Sequence, residues 1–111
     1  MTRDKLHLLH IRDALNKIEE YSKDLSYDDF ASIRVEFDAI MMQIIVIGEA
    51  VNQLSDEFKE KYHDQPWHKA VGLKNQTAHG YIDIKPGIVW DTVKTDLPVL
   101  KRNILEILKQ Y

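Results

Sequence analysis

Lys74-Asn75-Gln76-Thr77-Ala78-His79-Gly80-Tyr81 brings a cation, an amide, an imidazole and a phenol into one short segment. An imidazole titrates near pH 6.5 and trades protons at neutral pH, which suits His79 to acid–base work. Lys74 can hold a phosphate as a point charge, and the Tyr81 hydroxyl can donate a hydrogen bond. Asn75 and His79 are four residues apart, so on a helix their side chains lie one above the other. Lys74 and His79 are separated by about 140° round an ideal helix. A straight helix therefore does not aim both at one small target. They converge if the helix end distorts, or if two copies of the helix face each other across a two-fold axis, so the spacing predicts a dimeric site. The plain alternative is structural: His79 caps the last carbonyls, Lys74 is solvated and Tyr81 packs in the turn.

The remaining histidines carry weaker signals. His7 reads as a surface or partly buried residue of the first helix, and His10 as a satisfied core histidine. His63 and His68 stand with Asp64 near a polar turn, but their spacing matches no standard ligand motif, and no metal site is expected. Asp28 and Asp29 read as helix-start charges, not as a catalytic pair.

The elements that must position these residues are helical. Leu6, Leu9 or His10, Ala14, Ile18 and Tyr21 recur at three- and four-residue steps, which predicts an amphipathic helix over about residues 3–23. Ser26-Tyr27-Asp28-Asp29 has the form of a loose capping box. Behind it Ile33, Phe37, Ile40, Ile44, Ile47, Val51 and Leu54 alternate steps of four and three, which predicts one long helix over about residues 27–54. Val35, Met42, Ile45 and Val46 lie on other faces of that helix. Such an all-round apolar helix is expected to be central to its own bundle and shared with a second subunit. Ser55 to Tyr62 can form a short third helix. Pro66 suits the first position of a fourth helix, which Gly80 should end at about His79. Asp83 to Gly87 reads as a connector. Ile88 or Val89, Val93, Leu97, Leu100, Ile104 and Ile107 mark a last helix with a kink or restart at Pro98. The expectation is one all-α domain over residues 1–111, an antiparallel bundle of four to five helices.

The bulk properties bound the function. The 111 residues are 44% hydrophobic and 30% charged, the balance of a soluble globular chain. There is no cysteine, which excludes disulfides, a thiolate zinc site and a cysteine nucleophile. No apolar stretch is long enough to cross a bilayer, and Thr2-Arg3-Asp4-Lys5 lacks the pattern of a signal peptide. A cytoplasmic location is expected. The net charge of −3 works slightly against general nucleic-acid binding, so any role on RNA must rest on a local basic site.

The sequence resembles the HepT-like family of the HEPN superfamily over about residues 4–108. That family's signature is Arg-x4-His-x-Tyr, and Gly72-Leu73-Lys74-Asn75-Gln76-Thr77-Ala78-His79-Gly80-Tyr81 follows it with lysine in the arginine position. Ile47-Gly48-Glu49-Ala50, Pro66-Trp67, Ile88-Val89-Trp90 and Asp96-Leu97-Pro98 agree as flanks. The resemblance implies an HEPN-like fold and a metal-independent ribonuclease toxin, without cofactor, acting as a homodimer whose composite site uses residues of both subunits. It implies that His79 is general acid or base, that Lys74 stabilises phosphate charge and that Asn75 orients the histidine or the phosphate. It also implies a cognate minimal nucleotidyltransferase antitoxin that transfers AMP onto Tyr81. Lysine at position 74 keeps the charge but loses the planar fork that grips a phosphate bidentately, so catalysis is expected to be weakened. A second expectation of another class follows: a catalytically weak or inactive binding subunit that partners a nucleotidyltransferase.

Overall fold

The computed structural model describes residues 2–111, and its elements are all helical. Helix α1 (Arg3–Ser22) starts at Thr2, whose hydroxyl accepts from the Lys5 amide at 3.1 Å. Leu8, Ile11, Leu15 and Ile18 bury its core stripe at three- and four-residue steps; of the stripe expected from the sequence, Ala14 and Ile18 are buried, Leu9 and Tyr21 are half-buried and Leu6 and His10 are exposed.

The long helix expected over residues 27–54 is two helices. Helix α2 (Tyr27–Ser32) and helix α3 (Arg34–Gln53) meet at Ile33, whose backbone is extended at φ −100°, ψ 101°. The capping box at Ser26 is real. The Ser26 hydroxyl accepts from the Asp29 amide at 3.1 Å, and the Asp29 carboxylate accepts from the Ser26 amide at 3.5 Å. The break follows from packing. Phe30 is fully buried against Trp90, 5.0 Å between ring centres, which draws α2 towards the Pro86–Asp91 helix while α3 continues along the core. Ile33 falls on the four/three rhythm by coincidence and is 42% exposed.

Helix α3 is the spine. Phe37, Ile40, Met41, Ile44, Ile47 and Val51 are buried, and α1 and the helix carrying the Lys74–Tyr81 segment both pack on it. Helix α4 (Asp56–Lys61) is capped by Ser55, which is tied to α1 by two hydrogen bonds to Asp4 of 2.8 and 2.6 Å. Helix α5 (His68–Gly80) does not begin at Pro66. Trp67 occupies the cap position and packs against Phe58, so the chain stays in a turn until the indole is seated. Nor does the segment stop at His79: α5 runs through Gly80 into a 3₁₀ turn, Tyr81–Asp83. Gly80 has φ 160°, so it is extended and not left-handed, and the expected glycine cap does not form. Its missing side chain leaves room for Asp83, whose carboxylate lies 2.9 Å from where a Cβ would stand.

The connector expected over residues 83–87 is shorter, because Pro86 takes the first position of helix α6 (Pro86–Asp91). The kink or restart expected at Pro98 takes the form of a widened turn just before it. A π-type widened segment, Thr92–Asp96, leads directly into helix α7 (Leu97–Leu108). A proline has no amide to donate and its ring crowds the carbonyl four residues back, and the widened turn before it absorbs both defects. Buried side chains from every helix form one cluster, and no strand occurs among the described residues. No helix is long and apolar enough to cross a membrane.

Candidate active site

Helix α5 divides the candidate residues between two faces. Ala70 and Leu73 are buried against the core, and Lys74 follows them on the inner side, half-buried. Gly48 of α3 makes this possible. A Cβ added to Gly48 would stand 2.7 Å from the Lys74 Cβ and 3.3 Å from the Ala70 carbonyl, so the helices touch where only hydrogen fits. Lys74 thereby enters a cleft of about 420 Å³ between α1, α3 and α5, floored by Val46 and Ala50. His7, His10 and Glu49 line the same cleft. Asn75 and His79 are exposed on the other side of α5, one helical turn apart as expected. The helix end is not distorted in a way that swings His79 round to Lys74: His79 is not among the residues that line the Lys74 cleft.

Tyr81 turns away from both. It leaves the 3₁₀ turn towards the first turns of α3, where its hydroxyl donates to Asp38 at 2.5 Å. Arg34 pairs with the same Asp38 oxygen at 3.1 Å, and its guanidinium lies 4.9 Å from the centre of the Tyr81 ring. Phe37 meets the ring edge-on at 5.9 Å. Burial, and then the hydrogen bond to Asp38, push the Tyr81 phenol up to about 12. In this state the hydroxyl is committed to Asp38 and does not project as a free donor beside His79.

The spacing thus brought out Asn75 with His79 correctly and foresaw that Lys74 stands apart from them. It missed what each meets. His10 is exposed at the cleft, not a core histidine. His7 is half-buried, and burial first, then Arg3 and His10, lower its pKa below 6.5, with Asp4 opposing. Arg34 and Asp38 show a plain i,i+4 charge pair in the sequence, but nothing local ties that pair to a tyrosine far along the chain. Lys69 of α5, unremarked in the sequence, binds Asp96 at 3.1 Å and Asp91 at 3.7 Å, anchoring α5 to the end of α6 and the widened segment after it. Among the described residues no three His, Asp or Glu side chains are grouped to hold a metal ion.

A helical bundle with this motif on its fifth helix defines a class, and the comparisons name it. The profile of the ribonuclease HepT-like family matches residues 11–107, and the chain belongs to that family, within the HEPN superfamily. A Methanocaldococcus jannaschii protein whose name joins a gamma-glutamylcyclotransferase to an RNase is 38% identical over 106 residues, covering 96% of this chain and 48% of that protein. The chain thus spans about half the length of that relative. A protein of Caldanaerobacter subterraneus named for RNase activity is 31% identical over 99% of this chain and 98% of its own length. A Thermococcus cleftensis protein named for ribonuclease HepT is 28% identical over 95% of this chain and 96% of its own. No solved structure matches this chain.

Proposed function

We propose that this chain is the ribonuclease toxin of a toxin–antitoxin pair and cuts RNA at a site completed by two copies of the chain. The observation that carries the reading is the split of the motif over α5, with Lys74 in the cleft and Asn75 and His79 exposed on the other side. A cation and an imidazole that cannot share a phosphate within one chain can share it between two. The outer face of α3 supports pairing. Val35 and Met42 are 75% and 57% exposed, and Ile45 extends the same side half-buried. Apolar side chains this open on a core helix favour a second copy as their cover.

In the paired state His79 transfers a proton at the 2′-hydroxyl or the leaving oxygen, Asn75 orients it, and Lys74 holds charge on the phosphate. The cognate antitoxin is a minimal nucleotidyltransferase that places AMP on Tyr81. A bulky anion there breaks the Tyr81–Asp38 hydrogen bond and adds negative charge two residues from His79, which repels the RNA backbone. The site resides in the cytoplasm, where its RNA substrate is.

The test is expression with and without the adjacent nucleotidyltransferase gene, reading growth and intact mass. Wild type alone should stop growth and His79→Ala should not, with the fold unchanged. With the enzyme present the mass should rise by one AMP, and Tyr81→Phe should abolish the rise. Lys74→Arg, which restores a forked cation, should raise cleavage. The lysine itself favours a second reading, an inactive partner subunit of the nucleotidyltransferase; a wild-type chain that neither slows growth nor cuts RNA would establish that one instead.

A further inference from the structure

Cutting RNA without a metal ion requires three things around one phosphodiester: a group to take the 2′-hydroxyl proton, a group to protonate the departing 5′-oxygen, and a cation for the remaining oxygens. The motif supplies one imidazole and one cation, and they lie on different sides of α5. The cleft that holds Lys74 holds two further imidazoles, His7 and His10, their ring centres 6.0 Å apart. They come from α1, which no part of the motif touches in sequence. Other charged groups on nearby helices are committed, among them Asp4 to Ser55, Lys69 to Asp96 and Lys101 to Glu19. In this cleft, among the described residues, no hydrogen bond or ion pair occupies the side chains of Lys74, His7, His10 or Glu49.

We propose that the cleft between α1, α3 and α5 is the subsite for the RNA phosphate to be cut, with Lys74 on its oxygens and His7 as the base. The inference rests on the ribonuclease reading and assigns it a residue outside the motif. The 2′-oxygen forms a bond to phosphorus as its proton passes to the His7 ring. The bond from phosphorus to the 5′-oxygen breaks, and that oxygen takes a proton from His79 of a second copy. The products are a 2′,3′-cyclic phosphate and a 5′-hydroxyl. His10, exposed at the mouth, contacts the phosphate or ribose of the same nucleotide.

The charges facing the cleft suit these roles. Arg3, Asp4 and His10 on α1, Glu49 on α3 and Lys74 on α5 surround His7. Lys74 and Glu49 offset each other in net charge, so the cleft becomes cationic only as a histidine takes up a proton. Burial and Arg3 hold His7 neutral at pH values where a free imidazole is already charged, which keeps it able to accept. Activity should therefore rise with pH along an acid limb set by His7 below 6.5.

The experiment compares full-length wild type, His7→Gln, His7→Asn, His10→Ala and His79→Ala. It reads single-turnover cleavage of a labelled RNA against pH, and binding of the matching oligonucleotide with a 2′-deoxy sugar at the cut. Both His7 variants should cut about 100-fold more slowly, with the acid limb gone and oligonucleotide binding held. His10→Ala, at an exposed position that keeps the fold, should weaken oligonucleotide binding. Undiminished cleavage by a folded His7 variant, alongside an inactive His79→Ala, overturns the cleft and leaves the ribonuclease reading standing. A His7 loss explained wholly by weaker binding also overturns it. A folded wild type that cuts no RNA overturns both.

Discussion

The Tyr81 phenol, held by Asp38 and half covered, ionises near 12 instead of 10.0. Raised in the folded state, it stabilises the fold fully below its unfolded value of about 10 and loses that contribution as pH climbs to about 12. Chemical denaturation across that window should therefore show a steeper fall for wild type than for Tyr81→Phe. Asp38→Ala removes the acceptor and its charge while Arg34 stays, so phenolate absorbance should appear at a lower pH than in wild type. At this scale the sequence was informative about residue types and poor about neighbours. Lys74, Asn75, His79 and Tyr81 stood out because their chemistry is concentrated in one short segment. Asp38, His7 and Glu49 did not, because each meets that segment only after α1 and α3 pack beside α5.

At the scale of elements, Gly48 sets the distance between α3 and α5. Gly48→Ala puts a methyl group 2.7 Å from the Lys74 Cβ, and the contact behind it is the Ala70 backbone. The helices must part, at a cost of about 1–3 kcal/mol in urea denaturation, and cleavage should fall with the displaced lysine. Ser26→Ala should cost about 1 kcal/mol in the same measurement, since the Asp29 amide loses its acceptor. Most helices were legible from the three- and four-residue rhythm alone. The breaks were not, because rhythm records where apolar residues recur and not whether the backbone between them stays helical. Ile33 kept the beat while Phe30 pulled α2 aside, and Pro98 marked an irregularity without revealing that it is a widened turn over Thr92–Asp96.

At the scale of the whole molecule, the apolar outer side of α3 decides whether one chain is enough. Val35→Asp with Met42→Glu alters exposed positions only, so each chain should keep its helicity and thermal stability. On the proposed pairing, wild type should sediment as a dimer and the double variant as a monomer, with RNA cleavage lost. The sequence hinted at this surface through its second stripe; which chain covers it could not be read from periodicity. The hydrogen-only contact at Gly48 gives such pairing an all-or-nothing character. In the proposed dimer, with α5 seated hard on one side of α3 and a second copy on the other, α3 would work as a ruler that fixes each lysine relative to the opposite chain. Side-chain holes along a helix recur about every 5.4 Å, so a mispaired dimer slips by a whole turn and not by a fraction. Such a slip would move both lysines together, so the two proposed centres would be gained or lost as a pair.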